Sequence, residues 1–342
     1  MTESQKQDVV SGHLPHLSVV IPTYNRPMEL SRTLKVLLPQ AKIFGVPVVI
    51  LDNACPVGAK HVMESHKEYI DTVKIIRNRA NIGANANICR CFEICRTEWM
   101  WLLGDDDIPE ENCIETMLEE LKNLDPRVCY VNFSCNHFSH VRSIEIDGIE
   151  GLADQLKDRT MASNLLFISA GMFNVNACRK FLVVGYQHTY TCAPHLAMLF
   201  SALGSEDQFC KFSTKKIVKY MPPNAENQWS MLKLFAGITG LYELDHHHKA
   251  MGSIMKVFLV QCRWNLFLPN GVVAIFCDPK YSPRQWLLML FRASVLGDLW
   301  VRTQCVFMML TLPLASILIL RKAIGGILHR FDKKITAVSK RQ

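Results

Sequence analysis

The first half of the chain alternates short apolar runs with segments that have helical spacing of apolar residues. The runs have the length and composition of buried strands and lie at 17–21, 47–51, 73–76 and 99–103. Helical spacing lies between them, at 29–38 and 82–94. This order predicts an α/β fold with a mainly parallel sheet flanked by helices and right-handed crossovers. Ligands of such sheets bind at the carboxyl ends of the strands.

The second half of the chain has a different pattern. Further strands are predicted at 128–133, 164–169 and 217–220, and a helix at 190–203. Apolar spacing near 3.6 residues then continues over 229–268 and 284–300, which predicts a helical C-terminal extension.

Residues 303–320 carry no charged side chain and are followed by a basic end. Eighteen such residues are the lower limit for a membrane span, and Pro313 interrupts them. We expect a helix lying in the plane of an anionic membrane surface, with a full span or an ordinary core helix as alternatives. The net charge of +7 is concentrated here, without the interleaved aromatic residues of a nucleic-acid site, so no nucleic-acid partner is expected.

Composition excludes bulk disorder, because 49% of the 342 residues are hydrophobic and 20% are charged. The polar N-terminus has no apolar signal region, so it is interpreted as a short flexible lead rather than a secretion signal. The 13 cysteines are scattered, and no second CxxC pair completes a zinc site. Reduced packing thiols are favoured, and a zinc or redox role is the alternative.

The candidate chemistry is an acidic triplet, Asp105 to Asp107, directly after the fourth predicted strand. Adjacent carboxylates repel one another, so such a cluster is costly unless a cation neutralises it. Mg²⁺ or Mn²⁺ is typically held by one or two carboxylates together with diphosphate oxygens. Taken alone, the triplet is also compatible with an acidic turn before the helix that begins near 109–110.

Four segments in a fixed order connect the triplet to a known family. They are Ser18 to Arg26 (SVVIPTYNR), Asp52 to Ala54 (DNA), Asn81 to Asn87 (NIGANAN) and Trp99 to Asp107 (WMWLLGDDD). Together, over about residues 15–125, they resemble the inverting glycosyltransferase family 2, which has the GT-A fold. The pattern is most similar to the branch of abequosyltransferases and other O-antigen or polysaccharide sugar transferases. Residues 223–230 resemble only loosely the loop that precedes the C-terminal helices in that branch.

The resemblance implies a role for each matching residue. Those expected to line the nucleotide base pocket are Pro22, Thr23, Tyr24 and Arg26. Asp52 is expected to hydrogen-bond the base or the ribose. Those expected to close the nucleotide side are Asn81, Gly83 and Asn87, with Gly83 allowing a close approach of the backbone.

The acidic triplet receives its roles from the same resemblance. Asp105 is expected to bind the ribose or the sugar, and Asp106 has no definite role. Asp107 is expected to hold the Mn²⁺ or Mg²⁺ ion that bridges both phosphates. On this basis 16–225 is predicted to be the GT-A domain, with 1–15 as its lead. The nucleotide-sugar half is 16–125, the acceptor half is 126–225, and 226–342 is predicted to be the helical, membrane-associated region.

The general base is harder to assign. An inverting transferase needs a base to deprotonate the acceptor hydroxyl in a single displacement. Many family members use an Asp in a Glu-Asp pair at the start of an acceptor-side helix, and this chain has Thr191 to His195 there. His195 is the candidate, because histidine serves as a base near neutral pH. Glu206-Asp207 is one alternative, and a group outside these segments is another.

The expected function is transfer of a sugar from a nucleotide-diphosphate sugar to a glycan acceptor, with inversion at the anomeric carbon. A lipid-linked acceptor in surface polysaccharide or lipopolysaccharide biosynthesis is predicted, at the inner, cytoplasmic face of the cell membrane. One alternative is an inactive GT-A scaffold, which the missing Glu-Asp pair favours. Another is a nucleotidyltransferase, which the lack of a Gly-rich basic loop after the first strand disfavours.

Overall fold

A computed structural model describes residues 17–156, 159–205, 207–221, 240–244, 250–255, 257–258, 287, 290–291, 294–295, 302–303 and 305–310. The described residues fall into two compact units. The first holds those within 1–151, 164–189 and 194–224, and the second holds those within 152–163, 190–193 and 225–342.

The strands are β1 (Leu17–Thr23), β2 (Val48–Asp52), β3 (Val73–Arg77), β4 (Trp99–Leu102), β5 (Ile108–Pro109), β6 (Val128–Cys135), β7 (Ile144–Asp147), β8 (Gly171–Asn174) and β9 (Phe209–Lys219). The α-helices are α1 (Pro27–Phe44), α2 (Ala59–Met63), α3 (Ala84–Ile94), α4 (Cys113–Lys122), α5 (Gly148–Gln155), α6 (Arg159–Leu166), α7 (Val175–Arg179), α8 (Leu182–Gln187) and α9 (Pro194–Leu203). Short 3₁₀ segments lie at Glu64–Thr72, Ile168–Ala170 and Leu241–Glu243.

In the part of the chain that the structure describes, nine strands form one sheet. Its order is β3-β2-β1-β4-β8-β6-β9-β5, and β7 pairs with β9. Strands β1 to β4 are mutually parallel, β8 is antiparallel to both β4 and β6, and β9 is parallel to β6. Six strands therefore present their carboxyl ends at the same edge, and the predicted mainly parallel α/β fold is confirmed.

Helix α1 shows how the sequence pattern builds the core. Leu30, Leu34, Leu37 and Leu38 are fully buried, and they lie in one core cluster with the side chains of β1 and β2. Burying each such side chain contributes about 1.5–3 kcal/mol. The helix ends at Gly45, whose φ of 66° is the left-handed conformation that glycine adopts without strain.

One predicted element is wrong. The apolar run 164–169 is not a strand, since α6 continues to Leu166 and a 3₁₀ turn follows before β8 begins at Gly171. A short apolar run does not distinguish a buried helix from a buried strand, and here tertiary contacts decide. The side chain of Asn164 donates to the carbonyl oxygen of Phe133 at 2.9 Å and to Asn132 Oδ1 at 2.6 Å, which holds the last turn of α6 against β6.

The second unit contains several buried apolar side chains. Leu241, Met251, Ile254, Met255 and Phe258 are all buried. No helix among the described residues is long and apolar enough to cross a membrane. The lead 1–15, the loop 223–230, Glu206, residues 311–320 and the basic C-terminus lie outside the described residues, so what the sequence predicts for them stays a prediction.

The cysteines that the structure describes are free thiols, and all except Cys192 are buried. Burial raises the pKa of Cys89 and Cys129 to about 12, so both remain protonated thiols at neutral pH. Protonated, enclosed sulfur packs as a small apolar group.

Candidate functional site

The carboxyl edge of the sheet gathers the predicted site residues. Thr23 pairs with Asp52, and Asp52 pairs with Arg77, at the ends of β1, β2 and β3. The acidic triplet follows β4 in the same direction. Segments more than 80 residues apart in the chain are thereby brought to one edge.

Asp105 and Asp106 are held by the loop that follows β1. Thr23 Oγ1 donates to Asp105 Oδ2 at 2.7 Å, and Arg26 Nη1 lies 3.2 Å from Asp105 Oδ1 and 2.7 Å from Asp106 Oδ2. Asn25 has a φ of 55°, a left-handed conformation that asparagine tolerates better than most residues. The predicted Thr23, Arg26, Asp105 and Asp106 are thus in direct contact.

The backbone of the triplet is anchored on α1. Thr33 Oγ1 lies 2.9 Å from the Asp105 carbonyl oxygen and 2.7 Å from that of Asp107. Arg32 donates to the Asp106 carbonyl oxygen at 2.8 Å. The loop is therefore positioned before any ligand arrives.

Asp107 is held from the opposite side of the loop. Ser169 Oγ donates to Asp107 Oδ2 at 2.6 Å and accepts from the Gly104 N–H at 2.8 Å. The Met221 N–H is 3.4 Å from Asp107 Oδ1. A Cβ on Gly104 would lie 2.8 Å from Asp107 Oδ2, so the glycine keeps this space free. Sequence reasoning missed Ser169, because no local pattern links it to the triplet.

The three carboxylates differ electrostatically. Burial is the largest effect on both buried acids. It raises the pKa of Asp105 to about 6, although the charge of Arg26 opposes this rise. It raises the pKa of Asp107 to about 7. Arg26 pairs with Asp105 and Asp106. Among the described residues no cation pairs with Asp107, which leaves it as the buried carboxylate that a bound cation would neutralise.

Asp52 lies at the end of β2, where its carboxylate is already engaged. Its Oδ1 accepts from the Cys55 N–H at 2.7 Å, and its Oδ2 accepts from Ala59 N–H at 3.0 Å and Arg77 Nη1 at 2.8 Å. Burial acts to raise the pKa of Asp52, but these hydrogen bonds and the Arg77 charge outweigh it, so the pKa is lowered. Asp52 thus orients Arg77, which is 48% exposed and which sequence reasoning missed.

The asparagine segment forms a network beside Asp52. Asn53 Nδ2 donates to Asn81 Oδ1 at 2.9 Å, and Asn78 Nδ2 donates to Asn53 Oδ1 at 2.9 Å and to Asn87 Oδ1 at 2.8 Å. Asn87 is buried and Asn81 is exposed, so Asn81 is the one open to a ligand. Gly83 has a φ of 83°, a positive value that glycine adopts without strain, and no atom of the described residues lies within 4 Å of its Cβ position.

The remaining predicted residues are placed as follows. Pro22 is half-buried within β1, and Tyr24 is 43% exposed at the carboxyl edge. His195 is 1% exposed on α9, with its ring edge-on to Phe173.

The position of His195 bears on its predicted role. Burial lowers its pKa to about 4, so the ring is neutral at physiological pH. A base must reach the acceptor hydroxyl, so this burial disfavours His195 as the general base. Asp207 lies in the turn between α9 and β9, with a φ of 58°.

The curled, mostly parallel sheet flanked by helices, with an acidic loop at its carboxyl edge, defines a GT-A-like fold. Residues 18–173 match the model of glycosyl transferase family 2. No curated protein sequence matches the chain.

Solved structures support the fold. The S. aureus TarS fragment 1–349 has a TM-score of 0.58 at 11% identity, covering 92% of this chain and 91% of that chain. The same fragment in complex with UDP-GlcNAc has a TM-score of 0.55 at 12% identity, covering 86% and 90%. Its complex with UDP has a TM-score of 0.54 at 13% identity, covering 86% and 89%.

Proposed function

We propose that this chain is an inverting glycosyltransferase that moves a sugar from a nucleotide-diphosphate donor to a glycan acceptor. The observation that carries the proposal is Asp107, a buried carboxylate without a cationic partner among the described residues, within the segment that matches the glycosyl transferase family 2 model. A protein gains nothing in stability from such a group, so a ligand that uses its charge accounts for it.

The order of strand ends supports a layout for the donor. Arg77 and Asn81 lie at the β2–β3 end of the edge and are exposed, which suits a nucleoside. The triplet lies two strands further along, after β4, which suits the diphosphate. The Arg26 guanidinium beside Asp105 provides a fixed positive charge between these two places.

The residues present fit a divalent cation, Mn²⁺ or Mg²⁺, at Asp107. Ser169 donates to Oδ2, and among the described residues Oδ1 has only the long contact from the Met221 N–H, so Oδ1 is the oxygen available to the ion. When bound, the ion would act as a Lewis acid that offsets charge on the leaving diphosphate. The chain's own contribution is to orient Asp107 through Ser169 and to hold the loop rigid through Thr33.

The finer parts of the proposal rest on sequence. The four motifs support the branch of abequosyltransferases and other polysaccharide sugar transferases, hence surface polysaccharide or lipopolysaccharide biosynthesis. The uncharged run 303–320 and the basic end support a lipid-linked acceptor and a peripheral location on the inner face of the cell membrane. Removing the residues beyond Asp298 is expected to move the protein from the membrane fraction to the soluble fraction. A truncated protein that stays with the membrane would contradict this.

A thermal-shift screen tests the donor proposal. UDP, GDP, CDP, ADP and dTDP are added with and without Mn²⁺, because a ligand that binds the folded state raises its stability by about 2.7 kcal/mol at 100 times Kd. We expect one nucleoside diphosphate to give an Mn²⁺-dependent shift that Asp107→Ala abolishes and that the surface variant Asp125→Asn retains. A screen with no shift, or a metal-dependent shift that survives in Asp107→Ala, would refute the proposal.

A further inference from the structure

The loops after β6 and β9 lie at the same carboxyl edge as the triplet. Asn136 follows β6, and its side chain clamps the backbone of Tyr220, which follows β9. The Tyr220 N–H donates to Asn136 Oδ1 at 2.7 Å, and Asn136 Nδ2 donates to the Tyr220 carbonyl oxygen at 3.2 Å. This clamp fixes Met221 as well, whose N–H contacts Asp107.

The clamp assembles an aromatic cluster beside Asp107. The His137 ring lies 5.5 Å from the Tyr220 ring, centroid to centroid, with the planes tilted by 42°. Phe167 meets Tyr220 edge-on at 5.4 Å. His137 is exposed, while Tyr220 and Phe167 are half-buried, so the cluster has an open surface.

The charges of the triplet also act on the Tyr220 side chain. Burial raises the pKa of its phenol, and the charges of Asp107 and Asp106 raise it further. The phenol therefore keeps its proton at neutral pH and is a hydrogen-bond donor rather than a base. His137 is the exposed side chain of this cluster, and its imidazole nitrogens are the ring atoms there that can act as a base in catalysis.

The position along the edge indicates which part of the substrates meets the cluster. From β3 to β9 the edge presents Arg77, Asp52, the triplet and then the loops after β6 and β9. A donor laid along it, with the nucleoside at β2–β3 and the diphosphate at the triplet, would direct its sugar towards the loops that carry His137 and Tyr220. An acceptor hydroxyl attacks the anomeric carbon from the face opposite the leaving diphosphate.

We propose that His137 and Tyr220 form the acceptor side of the site, with His137 as the general base. This inference rests on the proposed function. The His137 ring takes the proton of the acceptor hydroxyl while that oxygen forms a bond to the anomeric carbon. The bond between that carbon and the diphosphate oxygen breaks, and its electron pair leaves with the nucleoside diphosphate. The Tyr220 ring packs against the apolar face of a sugar, and its O–H donates to a sugar oxygen.

Donor turnover with the protein variants tests the inference. Release of nucleoside diphosphate from the donor is measured with Mn²⁺, first with water as acceptor and then with methyl α- and β-glycopyranosides of glucose, galactose and mannose. His137→Gln is expected to lower turnover by about 10²–10⁴-fold, the usual contribution of a general base. Tyr220→Ala is expected to raise KM for the glycoside probe more than it lowers kcat.

The control is His61→Gln, which alters an exposed histidine on α2. It should match the wild type, and all variants should retain the Mn²⁺-dependent thermal shift with the nucleoside diphosphate. His137→Gln within about threefold of wild-type turnover would overturn the inference while leaving the proposed function intact. A wild type that binds no nucleoside diphosphate would instead refute the proposed function.

Discussion

Asp107 is a charge that the folded protein holds at a cost, so neutralising it is expected to stabilise the metal-free protein. Burial raises the pKa of its carboxyl from 3.8 to about 7. In the unfolded chain the same group releases its proton near its ordinary value. Between those pH values the folded state binds more protons than the unfolded state, so this carboxyl's contribution to stability falls as the pH rises from about 4 to about 7.

The size of the effect follows from that shift. A pKa difference of about three units corresponds to at most about 4 kcal/mol of destabilisation above pH 7. Asp107→Asn removes the charge, keeps the shape and leaves an oxygen to accept from Ser169. It also places an amide in a site arranged for an anion, so we expect a net gain of about 1–3 kcal/mol. That gain corresponds to a rise in melting temperature of about 2–4 °C per kcal/mol.

Thermal and urea unfolding of the metal-free protein at pH 8 and pH 5 measure this. The gain from Asp107→Asn should be present at pH 8 and smaller at pH 5, where the wild-type carboxyl is mostly protonated. Asp125→Asn is the control, and we expect it to lower stability where Asp107→Asn raises it. The hydrogen bonds and charge of Arg127 lower the pKa of the Asp125 carboxyl to about 2, so the folded protein favours that charge. Asp107→Asn no more stable than wild type at pH 8, or a gain that grows at pH 5, would refute the reasoning. Added Mn²⁺ should stabilise only the wild type.

Three further predictions concern Gly104, Ser169 and His195, which lie in the first compact unit. Gly104→Ala places a Cβ 2.8 Å from Asp107 Oδ2, so it should abolish the Mn²⁺-dependent thermal shift, whereas Gly252→Ala, with open space at its Cβ, should not. Ser169→Ala removes the hydrogen bond that orients Asp107, so Mn²⁺ binding measured by EPR titration should weaken about 10–100-fold. The matched control is Ser201→Ala, because Ser201 is also buried but its Oγ has no hydrogen bond among the described residues. Equal Mn²⁺ affinities of the two variants would contradict the role of Ser169. His195 has its pKa lowered to about 4, so its protonation in the unfolded state should cost about 2 kcal/mol of stability at pH 5 relative to pH 7. Urea unfolding should show that loss reduced in His195→Leu, and an unchanged loss would show that His195 is not buried as a neutral ring.

Much of the donor side of the site could be predicted from the chain alone. Thr23, Asp52 and the triplet each follow an apolar strand, and parallel strands bring their carboxyl ends to one edge whatever the details of packing. The acidic cluster needs a cation for a local reason, the repulsion of adjacent carboxylates. These conclusions require only the spacing of apolar residues, the order of the strands and helices, and the adjacency of the three acids.

The partners of these residues depend on tertiary structure. Ser169 and Met221 contact Asp107 from 62 and 114 positions away in the chain. Ser169 lies in a 3₁₀ turn, although the apolar pattern of 164–169 predicts a strand there. Asn136 clamps Tyr220 from 84 positions away.

The sequence by itself determined the fold class, the donor motifs and the place of the triplet, because neighbouring residues along the chain set both the order of the strands and the local charge. The tertiary structure decided which carboxylate lacks a cation, that Asp52 is committed to Arg77, and that His195 is enclosed while His137 is open. Burial and pairing arise from contacts between distant segments, and no periodicity along the chain encodes them.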